Sequence, residues 1–237
     1  RSWLREIAAY SKANHLPLHV HVSEQARELE LCQQAYGMSP IALLETENVL
    51  GEHTTLVHGT HVSEQDIHII ADTNTIVCIC PSTERNLGDG MAPIEQFLKK
   101  KVRLTIGTDS HARMDIVDEM RSLEDHERLR LEKRLVWARN QKSMFENMIP
   151  VVCSNGYASL GVPKNSSDAV FVKIPRYLKD CTPLHVAENW LIGGSGHDVT
   201  DVLINNQWVL KDSKSPQLNE EDLFKKVNIF LKKITLS

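Results

Sequence analysis

The stretch Leu16-Pro17-Leu18-His19-Val20-His21-Val22-Ser23-Glu24-Gln25 opens on a short apolar run, closes on chemically capable side chains, and leads into a helical pattern near Glu24 to Tyr36. The same grammar recurs outward along the chain. Thr54-Thr55-Leu56-Val57-His58 precedes a helix near Ser63 to Asp72, and Thr75-Ile76-Val77-Cys78-Ile79-Cys80 precedes a loop and a helix around Pro93 to Lys100. Val102-Arg103-Leu104-Thr105-Ile106-Gly107 then ends at Thr108-Asp109. Strands alternating with helices at this spacing read as βα repeats around a parallel sheet that helices must cover. A doubly wound sheet shares the alternation, but its glycine-rich phosphate fingerprint is missing after every strand. Reactive groups at the C-terminal ends of successive strands favour a (β/α)8 barrel, whose site gathers at that face. The units run only from Leu16 to Asp109, so the expectation is an α/β chain forming the C-terminal half of such a barrel.

Past Asp109 the pattern predicts a long charged helix over 115–141 and a second over 143–158, closing a barrel domain at residues 1–160. From Asp168 the texture changes to short strands, Asp168 to Lys173, then Asp201 to Ile204 and Gln207 to Leu210, and this last pair, joined by the turn Asn205-Asn206, reads as a hairpin. An amphipathic helix over Glu220 to Lys233 spaces Leu223, Val227, Phe230 and Leu231 along one face. Residues 161–237 are therefore expected to form a small β-rich domain, part of a β-sandwich, with a C-terminal helix. At the other end, Arg1 is followed at once by an amphipathic helical pattern from Ser2 to Tyr10, which predicts that the sequence starts within a fold.

Bulk properties exclude several classes of function. The 237 residues are 41% hydrophobic, enough for a large core, and 27 basic against 31 acidic residues give a net charge of -4. That balance points away from nucleic acid and from a polybasic membrane surface. The cysteines, Cys32, Cys78, Cys80, Cys153 and Cys181, are odd in number and scattered, as thiols of a reducing compartment are. No apolar run approaches the ~18 residues of a membrane span, and no signal peptide is visible. A cytoplasmic location is expected.

Chemistry concentrates at the strand ends. On a strand His19 and His21 share one face, with Glu24 just past its end, so a metal and a base can meet there. A pair of satisfied core histidines, with Ser23 as a helix cap, explains the same residues. His58 and Asp109 tilt the choice, because three strands then deliver imidazole or carboxylate to one rim. Those groups suit Zn²⁺ or Fe²⁺, and an ion there lowers the pKa of water towards about 7 while a neighbouring carboxylate carries protons. Other features have plainer readings. His61 reads as a loop or capping histidine, and Cys78 and Cys80 as buried strand thiols. His111 orients Asp109, touches substrate or is solvated. Arg128 to Arg134 is interleaved with glutamate and reads as a solvated helix face.

The set His21-x-x-Glu24, His58 and Gly107-Thr108-Asp109-Ser110 resembles the amidohydrolase superfamily. Within it, Cys80-Pro81-Ser82-Thr83-Glu84-Arg85-Asn86-Leu87-Gly88-Asp89-Gly90 is similar to a loop of the formimidoylglutamate deiminases, as is Glu119 to Glu124. The resemblance implies His21 and Asp109 as metal ligands, Glu24 as proton shuttle, and His58 as a polariser beside the attacking oxygen. Asp109 also accepts a proton from water, and Asn86, Gly88 and Asp89 line the substrate pocket. It implies one divalent metal, zinc ahead of iron, and a small-molecule substrate, N-formimino-L-glutamate, deiminated to N-formyl-L-glutamate and ammonia in histidine degradation. Homodimers are common in the family. The alternatives are another deaminase of the superfamily, acting on a purine, pterin or triazine, and an inactive truncated remnant. A stacking wall for ring substrates is hard to supply from a chain with 5% aromatic residues. This sequence departs from the family in three places. The family's first-strand His-x-His pair has no counterpart upstream of His21, Arg85 stands where a small residue is expected, and the run from Gly161 to Asp168 is short.

Overall fold

The computed structural model describes residues 1–110, 113–164 and 167–234. Two compact units are present, Arg1–Lys164 with Thr182–Gly196, and Asn165–Cys181 with His197–Ser237.

The first unit is built on four parallel strands in sequential order: β1 (Leu18–Val22), β2 (Thr54–His58), β3 (Ile76–Ile79) and β4 (Arg103–Ile106). Helix α1 (Ser2–Ala13) precedes them, and Arg1 and Arg5 both pair with the buried carboxylate of Glu47. Between the strands lie α2 (Ala26–Tyr36), α3 (Pro40–Thr46), α4 (Glu64–Asp72), α5 (Pro81–Leu87) and α6 (Ile94–Lys99). After β4 come α7 (Ile116–Leu131), α8 (Met144–Val152), α9 (Ser154–Ser159) and α10 (Pro183–Gly193).

Alternation along the strands decides what the sheet presents on each side. Leu56, Val77, Ile79 and Leu104 join Ile67, Ile70, Phe97 and Met120 from the helices in one apolar cluster. The opposite side carries His19, His21, Thr55, Val57, Cys78 and Thr105, which the parallel register brings side by side. One sheet face therefore holds the core and the other holds the chemistry. Helix α9 reaches this second face: His19 Nε2 lies 2.8 Å from the carbonyl of Ser159, and the Thr55 and Ser159 hydroxyls are 2.9 Å apart.

Several elements differ from the sequence expectation. Residues 81–87 form α5 rather than a loop, since Pro81 sits in the first turn, Glu84 accepts the Cys80 N–H, and Gly88 closes the helix at φ 72°. The long helix expected over 115–141 stops at Leu131, where Glu132 turns left-handed at φ 52°. The helix expected over 143–158 is two helices, broken at Cys153 after a proline inside α8 at Pro150. A single boundary at residue 160 is also replaced, because α10 belongs to the first unit. There its Leu191 is fully buried and its Glu188 accepts the Phe145 N–H.

In the second unit β5 (Ala169–Val172), β6 (Val199–Ile204) and β7 (Gln207–Leu210) form one antiparallel sheet in that order, and α11 (Glu220–Ile234) follows. The β6–β7 hairpin turns through Asn205 (φ 49°) and Asn206 (φ 60°), as a two-residue turn with both central residues left-handed requires. Among the described residues this unit holds a single sheet, where part of a sandwich is the sequence expectation. No helix among the described residues is long and apolar enough to cross a membrane.

Candidate metal centre

At the C-terminal ends of β1, β2 and β4, His21, His58 and Asp109 converge, with potential ligand atoms all within 4.8 Å of one another. His21 reaches the rim by plain alternation from His19. Its Nε2 lies 3.3 Å from Asp109 Oδ1. His58 arrives by a different route. Alternation from Thr54 and Leu56 would send its side chain to the helix-covered face, but its backbone is left-handed at φ 76°, and this turns the ring to the reactive side. Asp109 is also left-handed at φ 42°, as is Ser23 at φ 53°. Non-glycine residues held in this region cost free energy, on the order of 1–3 kcal/mol each, and they cluster where a site needs side chains aimed against the regular pattern. Neighbouring backbone bonds fix these turns: Gly59 donates to the Val22 carbonyl, His61 to Ser23, and Gly107 to Ile79.

His58 is fully buried. Its Nδ1 lies 3.2 Å from Glu84 Oε1, while its Nε2 faces Glu24 Oε1 at 3.6 Å and Asp109 Oδ2 at 3.9 Å. That Nε2 is buried without a hydrogen-bond partner in the structure. The rings of His21 and His58 are 5.3 Å apart.

The carboxyl of Glu24 is held above its usual pKa by burial, opposed by His58 and assisted by Asp89 and Asp109. Burial works against charge on His58, yet Glu84, Glu24 and Asp109 outweigh it and hold the ring's pKa above its ordinary value. Each group thus biases the other's proton.

The donor set can be tested against an ion. Two atoms bound about 2.0–2.1 Å from a tetrahedral ion stand roughly 3.3–3.4 Å apart. The His21–Asp109 pair, at 3.3 Å, has that spacing. The His58–Asp109 separation is longer, so His58 lies beside the pair. The imidazole and carboxylate of that pair suit a divalent cation, and the orphaned buried nitrogen of His58 stands next to them, facing two carboxylates.

The expected pocket residues separate. Asp89 is buried against the cluster: Gln25 Nε2 donates to its Oδ1 at 3.1 Å, and its Oδ2 is buried without a partner. Asn86 and Gly88 are exposed at the end of α5, and among the described residues neither hydrogen-bonds to the cluster. Arg85 turns to α7, where it meets Asp118 and Ser122. His61 serves the loop, with Nε2 2.7 Å from the Asp89 carbonyl. His111 lies outside the described residues. Sequence reasoning gave no part to Glu84, although a carboxylate four residues past a strand-end cysteine in a proline-started helix was its only visible signal.

A carboxylate and two imidazoles thus gather at the C-terminal ends of parallel strands, a group of side chains that could hold a metal ion. The chain belongs to the amidohydrolase family, whose model matches residues 1–167. Among curated relatives, the formimidoylglutamate deiminase of Pseudomonas aeruginosa is 31% identical over 220 residues, covering 89% of this chain and 49% of the relative. A 5-methylthioadenosine/S-adenosylhomocysteine deaminase of Halothermothrix orenii is 25% identical over 236 residues, covering 95% of this chain and 53% of the relative. The crystal structure of an adenosine deaminase from Xanthomonas campestris with bound zinc superposes with a TM-score of 0.86 at 23% identity. It covers 99% of this chain and 54% of that one, a likeness of fold. The chain spans about half the length of the curated relatives it matches.

Proposed function

We propose that these residues form part of an iminohydrolase centre that hydrolyses an amidine C–N bond, converting N-formimino-L-glutamate and water to N-formyl-L-glutamate and ammonia. The observation that carries the reading is the convergence of His21, His58 and Asp109, with Glu24 beside them. Identity to a formimidoylglutamate deiminase supports the choice of substrate. In this reading the four parallel strands are half of a (β/α)8 barrel.

His21 and Asp109 would hold one divalent cation, zinc as in the Xanthomonas structure or iron. When bound, that ion supplies Lewis acidity, which makes water a nucleophile near neutral pH. Glu24 takes the proton from the attacking water and gives it to the departing nitrogen. Its elevated pKa suits both halves of that transfer. His58 Nε2 sits between Glu24 and Asp109 and polarises the attacking oxygen. Water's oxygen bonds to the formimino carbon, Asp109 takes the second proton of that oxygen as the carbonyl forms, the bond from the carbon to the terminal nitrogen breaks, and ammonia leaves.

The lining also speaks for an amidine, a cation at neutral pH. Among the described residues, the ion pairs reaching Glu24 and Asp109 come from histidines, and Asp89 adds a further carboxylate. A second reading, deamination of a purine nucleoside, is favoured by the Halothermothrix relative.

The test is ammonia release from N-formimino-L-glutamate and from adenosine, with zinc supplied. The protein is assayed alone and fused to the half of the Pseudomonas relative that it does not span. Release from the amidine by the fusion, abolished in Asp109→Asn, is expected. Release from adenosine alone would favour the purine reading, and release from neither would overturn both.

A further inference from the structure

The geometry points to Glu84 as a positioning residue for the same centre, one that fixes which nitrogen of His58 carries the proton and which faces the reactants. This rests on the catalytic reading of His58 given above. Glu84 is 1% exposed, and its Oε1 accepts the Cys80 N–H at 2.9 Å while lying 3.2 Å from His58 Nδ1. An ionised carboxylate is an acceptor only, so the nitrogen facing it must bear the proton. In a neutral imidazole the hydrogen bond at one nitrogen sets the state of the other. Nδ1–H donating to Glu84 therefore leaves Nε2 for the centre, and Nε2 is the nitrogen without a hydrogen-bond partner, aimed between Glu24 and Asp109.

Two further observations separate this from ordinary packing. The left-handed backbone of His58, at φ 76°, turns its ring off the strand's alternation, and Glu84 meets the turned ring at Nδ1. Glu84 is gripped in turn: its helix begins at Pro81, and the Cys80 N–H ties the carboxylate to the end of β3. The chain of control runs from the β3 end through Glu84 to His58, and from His58 to the reacting atoms.

Glu84→Gln is the informative variant, because the amide keeps the size and one acceptor, so α5 stays anchored, while the charge that selects the tautomer is gone. The chain is labelled with ¹⁵N-histidine, and two-bond ¹H–¹⁵N correlations of the His58 ring, assigned with His58→Gln, are recorded above the ring's titration. The wild type is expected to show Nδ1 as the protonated nitrogen. Glu84→Gln should show a mixture or a switch to Nε2, with the signals of exposed His53 and His68 unmoved. Neither metal nor substrate is needed, so this result stands apart from the activity reading. In the active fusion the same variant should lower kcat by about 10- to 100-fold with KM little changed, as loss of an outer partner of a site histidine does. A wild-type ring protonated at Nε2, or the same tautomer in Glu84→Gln and wild type, overturns the inference. A tautomer switch without ammonia release from the unmutated fusion would instead sink the iminohydrolase reading and leave the Glu84–His58 pair standing.

Discussion

His58 and Gly107 show how single positions shape the reactive face. A Cβ added at Gly107 would meet Cys78 Sγ at 3.3 Å and Cys80 Sγ at 3.6 Å, so the two thiols fill the room a side chain would take. Gly107→Ala should therefore destabilise the protein by about 1 kcal/mol, and Gly107→Val by about 1–3 kcal/mol, as overpacking does. Urea titration would read both. Combining Gly107→Ala with Cys78→Ala should cost less than the sum of the single changes, because the second removes the atom that the first crowds. Strict additivity would mean that the sulfur is not what limits the space. At this scale the sequence is uneven in what it reveals. The face that His21 occupies is legible from strand period, whereas Glu24 lies past the strand end, beyond the left-handed Ser23, where period no longer places it. His58 is legible as a residue type at a strand end, yet its direction is not, because alternation points it to the wrong face and only the left-handed backbone corrects it. Glu84 is hidden for a related reason: its partner lies 26 positions away, across a strand end that periodicity does not describe.

Helix α7 carries the clearest control by a cap. Asp115 accepts the Val117 and Asp118 N–H groups at the start of the helix, and also the Gly196 N–H beyond α10. Burial raises its pKa, but the three backbone donors, with Arg121, more than reverse this and hold it below the usual carboxylate value. Asp115→Ala should cost about 1–2 kcal/mol. Since the folded pKa is the lower one, that stabilisation is complete above the ordinary aspartate range and fades as pH falls through the depressed value. The difference between wild type and Asp115→Ala in urea should thus be largest near neutral pH and shrink as pH falls below the ordinary aspartate range. A difference that grew in acid would contradict the sign. Capping by Ser143, whose hydroxyl accepts the Glu146 N–H while Glu146 accepts in return, should give about 1 kcal/mol for Ser143→Ala by the same assay. Elements with a strong period, β1 to β4 and α4, are legible in the sequence. The end of α7 at Glu132 is not, since charged and apolar spacing continues past it, whereas the break at Cys153 follows a visible mark, Pro150.

For the whole first unit, the separation of faces is the organising fact. The apolar cluster on one side of the sheet holds the strands, and Phe97, fully buried within it, is a sensitive probe. Phe97→Ala should cost about 3–5 kcal/mol, read as a fall in the urea midpoint at unchanged slope. The other side is free to carry polar groups because the core does not need it. That division follows from period-2 alternation, and so the parallel α/β class is readable from residues 16–109. The composition of the two units is less so: α10 lies beyond β5 in the chain yet belongs with the first unit through Leu191 and Glu188. A linear boundary cannot express a segment that leaves and returns.

The central claim is that His21 and Asp109 share a divalent cation at the strand ends. A calorimetric zinc titration of the protein beside His21→Ala and Asp109→Asn tests it most directly. The account expects one zinc per chain for the wild type and affinity at least about ten-fold weaker in each variant, in line with roughly 1.4 kcal/mol or more per lost ligand. Equal binding by all three proteins, or no binding by the wild type, would contradict it.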